Sequence, residues 1–395
     1  MRVREVFFWL HFAVGLAVGA VIFVMCVTGV LLTYERQMTE WADREYRVEP
    51  PSGGGRLPVS ALVARARGAR AGAPPTAVTL QADPAAPAGV SFGREALLYV
   101  NPYTGQVLGE GSPGVRSFFR RVTEWHRWLG AKGEGRDRAR AVTGASNLGF
   151  LILVLSGLVL WVPREWTRRR VRNVAWFRRG LRGKARDFNW HNVLGLWAWA
   201  PLVVIVASGV VMSYPWANGL VFGLVGERPP ERPPERPAEG PREGAGRGDR
   251  GERGDRGKEG TSLDGLDRLW SRAEREFPGW RSLSARLPDS PRAPVTFTIA
   301  RGDRGRPDLR AQLTLDRRSG EVVRWETFVS QGPGRRLRSW IRWAHTGEAA
   351  GFFGQTLAGL ATASAAVLVW TGWAMAWRRL FPRRRARITS SEELS

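Results

Sequence analysis

The chain has 395 residues, a formal net charge of +24 and 43% hydrophobic residues. That length allows two or three soluble domains, but most apolar residues sit in four long uncharged stretches, not spread as soluble cores require. The lone Cys26 leaves no disulfide framework, and the charge is not accompanied by the aromatic-interleaved basic domain of a nucleic-acid binder.

In chain order, residues 6–34 form the first apolar stretch, longer than the roughly 20 residues that cross a hydrocarbon core about 30 Å thick. Arg2 and Arg4 precede it as they would a signal peptide, but the run is too long for one and carries His11, so it reads as a transmembrane helix. Residues 35–116 read as a small α+β module, with helical periodicity over 59–70, a strand at 96–100, a turn at 101–105 and a strand at 106–108. A helix over 117–132 carries His126 and leads to a second span, 141–163. In the loop 164–187, the segment from Arg164 to Arg186 holds ten Lys/Arg against one Glu. With Arg2, Arg4 and the basic start of the tail 378–395, it assigns the N-terminus, this loop and the C-terminus to the cytoplasmic side.

Residues 188–214 form the third span. The segment 227–260, rich in Pro, Gly, Arg and Glu, has too few apolar residues to offset the entropy of ordering and reads as a disordered insert. Residues 261–330 repeat the module plan: a helix over 263–277, strands at 295–300 and 311–315, a turn at 316–320 and a strand beginning at 321. A helix over 335–348 carries His345, and 349–377 is the fourth span. With the termini inside, both modules are extracytoplasmic.

The two halves match. His11 is followed by Gly15, Thr28-Gly29 and Tyr34 at offsets of 4, 17, 18 and 23, and His191 by Gly195, Ser208-Gly209 and Tyr214 at the same offsets. Trp125-His126 precedes a span ending Ser156-Gly157-Leu158, and Ala344-His345 one ending Thr371-Gly372-Trp373. The expected fold is therefore a polytopic α-helical membrane protein, with four transmembrane helices in a duplicated arrangement and two extracytoplasmic α+β modules.

These features resemble the PepSY-associated transmembrane family over nearly the whole chain. The matching words are His11 with Gly15, Asn101 to Val107, Trp125 to Gly130, Trp190 to Trp197, Asp316 to Val322 and His345 to Glu348. The resemblance implies PepSY-like modules in a multi-pass protein of the bacterial cytoplasmic (inner) membrane. Some members look like iron-regulated reductases that carry two b-type haems and release iron from a ferric siderophore outside that membrane. Others are fused to a flavoprotein reductase. This chain shows no dinucleotide fingerprint, so the donor is left as cytoplasmic or quinol.

The four histidines are the candidate cofactor ligands. His11 and His191 sit near the cytoplasmic ends of their spans, and His126 and His345 just before theirs, near the outer face. A bis-histidine haem needs both ligands at one depth, so the expected pairs are His11 with His191 and His126 with His345. An interfacial or helix-packing role is the alternative for any one of them. Zinc is disfavoured, because no Cys and no acidic pair at ligand spacing joins either pair. Gly15, Gly19 and Gly195 would admit a flat ring or close helix packing. Trp9, Trp125, Trp190, Trp197 and Trp343 would flank rings or form an interfacial belt. Arg120, Arg121, Arg127, Arg338 and Arg342 would hold propionates or an anionic chelate, or anchor the interface.

The expected function is an oxidoreductase of the ferric-chelate type that passes electrons outward to an extracytoplasmic acceptor. One rival is a membrane-anchored PepSY protein that binds peptides or restrains a protease. A transporter is the other rival, against which the spans hold no acidic residue and no broken-helix signal beyond Pro201.

Overall fold

Apolar runs that cannot pair their backbone with water must satisfy it internally, and here they do so as helices. The structure, a computed structural model, describes residues 3–381 apart from 71, 94–95, 163–164, 231–262, 289 and 291–292. Most of the 227–260 insert and of the tail lies outside the described residues. Helix α1 (Val3–Leu32) is followed by α2 (Glu35–Ala42) and α3 (Val59–Ala69), then strands β1 (Ala77–Gln81), β2 (Ala88–Phe92), β3 (Ala96–Val100) and β4 (Val107–Gly109). Next come α4 (Pro113–Trp128), α5 (Gly135–Trp161), α6 (Arg168–Ala175), α7 (Gly183–Ser213) and α8 (Pro215–Gly223). The remainder runs α9 (Leu266–Glu276), β5 (Ser282–Arg286), β6 (Val295–Ala300), β7 (Arg310–Leu315), β8 (Val322–Thr327), α10 (Pro333–His345) and α11 (Gly351–Leu380).

The chain divides into two units. One takes in the chain up to Glu35, Phe118–Ala217 and the chain from Ile341. It contains the four helices that, among the described residues, are long and apolar enough to cross a membrane, namely α1, α5, α7 and α11. They close a ring in which α1 and α7 each pack against both α5 and α11. Ile22, Cys26, Val154, Leu202, Val206, Ala361 and Ala365 fill its centre. Leu129 (φ 51°) and Gly130 (φ 76°) end α4 in left-handed geometry, turning the chain back into α5.

The other unit takes in Arg36–Ser117 and Asn218–Trp340. Its strands form one antiparallel sheet in the order β4-β3-β2-β1-β5-β6-β7-β8. The two segments expected as modules therefore join edge to edge, β1 pairing with β5 from Ala77↔Arg286 to Gln81↔Ser282. Thr79 Oγ1 donates to Ser284 Oγ across that seam at 2.8 Å. The Ser60 amide donates to Asp267 Oδ1 at 2.9 Å, tying α3 to α9. Alternate strand residues and the apolar faces of both helices share one core, with Leu62, Val63, Val78, Val90, Leu269, Leu283, Phe297, Ile299 and Leu313 almost wholly buried. Each such side chain contributes about 1.5–3 kcal/mol, which explains why the halves join rather than expose two edges.

The two hairpin turns use one device. Asn101 Oδ1 accepts from the Tyr103 and Thr104 amides, and Asp316 Oδ1 from the Arg318 and Ser319 amides. Gly105 (φ 74°) and Gly320 (φ 75°) then take the left-handed position. Strands β1, β2 and β5 were not expected from the sequence: each is only five residues long and rich in Ala, Gly, Ser or Thr. Asp43 in this unit is buried, accepting from the Ser112 amide at 2.8 Å, from the Tyr99 hydroxyl at 2.9 Å and from Arg116.

Candidate functional site

All four histidines lie in the helical unit and are half-buried. Each turns its Nδ1 to a hydroxyl on a different helix. His11 on α1 meets Ser156 Oγ on α5 at 2.9 Å, and His191 on α7 meets Thr371 Oγ1 on α11 at 3.0 Å. His126 on α4 meets Thr28 Oγ1 on α1 at 3.0 Å, and His345 on α10 meets Ser208 Oγ on α7 at 3.1 Å. The last two rings also reach backbone carbonyls, Met25 O at 3.0 Å and Ile205 O at 2.8 Å.

These bonds decide the tautomers. Each hydroxyl donates its own hydrogen to a carbonyl one turn back: Ser156 to Ile152 (2.6 Å), Thr371 to Val367 (2.8 Å), Thr28 to Val24 (2.7 Å) and Ser208 to Ile205 (2.8 Å). The hydroxyl oxygen is then left to accept, so the ring Nδ1 carries the proton and Nε2 carries the lone pair. Burial, and then the charge of His345, push the His126 imidazole down to about 4, and burial lowers His345 as well. Both rings are therefore neutral at pH 7, with a free lone pair.

The histidines lie at two levels. The ring centres of His11 and His191 are 6.3 Å apart with planes at 82°. Seventeen residues separate His11 from Thr28 on α1, and His191 from Ser208 on α7. At 1.5 Å per residue the two levels lie about 26 Å apart, most of a hydrocarbon core.

The hydroxyl-bearing residues were legible in the sequence as repeated Ser/Thr-Gly steps, but not as partners of the histidines. Their glycines have a role too. A Cβ on Gly157 or Gly372 would stand 3.5 Å from Cε1 of His11 or His191, and one on Gly29 would stand 3.5 Å from Cε1 of His126. Gly209 differs, facing the Asn147 amide, which donates to Val206 O at 3.1 Å.

A Cβ on Gly15 or Gly195 would meet Leu153 or Leu368 in ordinary contact at 3.8 Å, whereas Gly19 is pressed against Trp373, so close helix packing accounts for Gly19. A Cβ at Gly19 would come within 2.6 Å of the Trp373 indole nitrogen. Gly19→Ala is expected to cost about 1–3 kcal/mol by overpacking, measured by denaturant unfolding in detergent. Of the tryptophans, Trp343 is buried while Trp9, Trp125, Trp190 and Trp197 are exposed. Arg379 lies over Trp9 and Arg186 over Trp190, as in an interfacial belt. Arg127 and Arg342 lie over Trp128 and Trp343, and Arg338 donates to Asn218.

An aromatic-flanked bundle with two histidine levels, joined in one chain to an eight-stranded sheet, is matched from residue 8 to residue 379 by the family described as PepSY-associated TM region. The chain belongs to that family. The PepSY-associated TM match takes in all four histidines and their four hydroxyl partners. Comparison with curated proteins found no match.

The family resemblance implies a bis-histidine haem, and the geometry of His11 and His191 bears on it. Two imidazoles bound in line to one metal, each at about 2.0–2.1 Å, have ring centres about 6 Å apart, and His11 and His191 already stand at 6.3 Å. Their Nε2 atoms hold lone pairs and their Nδ1 atoms are engaged, the arrangement usual for metal-bound histidine. Among the described residues no group of three His, Cys, Asp or Glu gathers. A set of two histidines suits a metal whose remaining positions a macrocycle fills, whereas bare zinc requires three or four. His11 and His191 fit the group.

Proposed function

We propose that this protein is a di-haem electron carrier of the bacterial cytoplasmic membrane that passes electrons outward to reduce an extracytoplasmic acceptor. In this reading His11 and His191 hold one b-type haem, and His126 and His345 the other. The observation that carries it is the 6.3 Å ring separation of His11 and His191, with both Nδ1 atoms engaged. Bound between such pairs, haem supplies reversible one-electron chemistry. The chain supplies neutral imidazoles, hydroxyl acceptors that orient them, and an apolar sleeve.

The chain is read as a duplication. The hydrogen bonds of the His11 and His126 rings recur at His191 and His345, with a constant offset of 180 residues between α1 and α7 and 215 between α5 and α11. The basic segment 164–187 argues for cytoplasmic termini and an extracytoplasmic sheet unit. The His11–His191 level would then face a cytoplasmic or quinol donor, and the His126–His345 level the acceptor. A ferric siderophore is the acceptor favoured, because reduction to Fe(II) weakens the metal's preference for hard oxygen donors and loosens the chelate.

The test is electron transfer across a sealed membrane. Proteoliposomes holding a reductant inside are expected to reduce an external ferric chelate only when the protein is present. Reduction at the rate of protein-free vesicles would defeat the reading and leave a peptide-binding anchor.

A further inference from the structure

Helix α8 is apolar on every side. From Pro215 to Gly226 the chain carries no charged residue, and the side chain of Asn218 is taken up in accepting from Arg338 Nε of α10 at 2.9 Å. On that inner face Ala217, Val221 and Phe222 are buried, with Phe222 against Gly334 at the start of α10. The outer face presents Trp216, Leu220 and Leu224, which are 54%, 61% and 81% exposed. The Leu224 amide donates to the Leu220 carbonyl at 2.9 Å, so the helical path reaches Leu224. Residues four apart share one side of a helix, and these three form a continuous apolar stripe.

A helix apolar all round requires a second apolar environment beyond the protein face it already covers. The chain around α8 specifies a lipid surface. Only Tyr214 separates α8 from α7, one of the helices long and apolar enough to cross a membrane, so α8 begins where the bilayer core ends. At the corresponding place after α1, 180 residues earlier, the chain has Arg36, Glu40 and Arg44 where α8 has Trp216, Leu220 and Leu224. Arg36 and Glu40 pair at 3.8 Å, as on a solvated helix face. The stretch 227–260 that follows α8 holds no apolar side chain larger than proline and offers the stripe no cover.

We propose that α8 is an interfacial helix whose Trp216, Leu220 and Leu224 enter the boundary between headgroups and acyl chains in the leaflet where α7 ends. Helices of this kind sit about 5–10 Å into that boundary, and tryptophan is favoured there. The contact belongs to the second half of the chain alone, because the charges of Arg36, Glu40 and Arg44 keep the matching stripe in water.

The full-length protein in phosphatidylcholine vesicles tests this, with Cys26→Val removing the native thiol and a nitroxide attached at Leu220→Cys, Leu224→Cys or, for comparison, Glu40→Cys. Labels at positions 220 and 224 are expected to relax with dissolved oxygen, to be shielded from an aqueous nickel chelate, and to report a depth of about 5–10 Å. The label at position 40 should show the reverse preference. Open access of the nickel chelate to positions 220 and 224 would overturn the proposal. So would shielding from both reagents, the result expected under a second copy of the chain. Unsubstituted protein gives an independent reading. A phosphatidylcholine with a photoactivated diazirine high on its acyl chain should attach within residues 215–226 in preference to 35–46, and adducts absent from 215–226 or equal in both segments would overturn the proposal.

Discussion

Replacing His11 or His191 by Ala is expected to leave one haem per chain instead of two, and replacing His126 or His345 to remove the other. The partition follows from geometry. His11 and His191 stand 6.3 Å apart, while the second level lies about 26 Å along the same helices. No single histidine can therefore serve both sites. Two variants from one pair should lose the same optical component, and variants from different pairs should lose different ones. Haem quantified on purified protein, with reduced-minus-oxidised spectra, checks this. If the histidines only pack helices, all four variants should bind haem as the wild type does. Their hydrogen bonds to hydroxyls would then be worth about 0.5–1.5 kcal/mol each and have no spectral consequence.

Asp43→Ala is the second large effect, confined to the sheet unit. The Asp43 carboxylate is 8% exposed and accepts from Ser112, Tyr99 and Arg116. Removing it leaves the half-buried Arg116 guanidinium without its carboxylate and orphans a backbone amide. A cost of about 3 kcal/mol is expected, at the low end for breaking a buried pair because Arg116 keeps partial access to water. Denaturant unfolding of the sheet unit, followed in the full chain, measures it. The same cluster has a pH signature. Burial raises the Tyr99 hydroxyl from 10 to about 12, with Asp43 adding to the rise and Arg116 opposing it. A folded pKa above the unfolded one gives stability that is complete below pH 10 and is lost as pH climbs through 12. Tyr99→Phe should flatten stability across that window.

The spans and the approach of His11 to His191 were legible for specific reasons. Apolar length alone marks a membrane helix, and four histidines in 395 residues leave few ways to match them. The hydroxyl partners were not legible as such, because Ser156 is 145 residues from His11 and Thr371 is 180 from His191. Only the ring of helices brings them together. The seam between β1 and β5 escaped for a similar reason: it joins Ala77 to Arg286, a pairing that local patterning does not encode. The glycines near the histidines allowed two readings in sequence. The contacts place Gly157, Gly372 and Gly29 beside imidazoles, while Gly19 alone of Gly15, Gly19 and Gly195 is held too close to a neighbour, Trp373, to take a Cβ.

The most direct measurement is the reduced-minus-oxidised visible spectrum of the purified wild-type protein, expressed with ample haem and assayed for haem per chain. Two low-spin b-type haems per chain are the expected result. A colourless protein under those conditions would contradict the account.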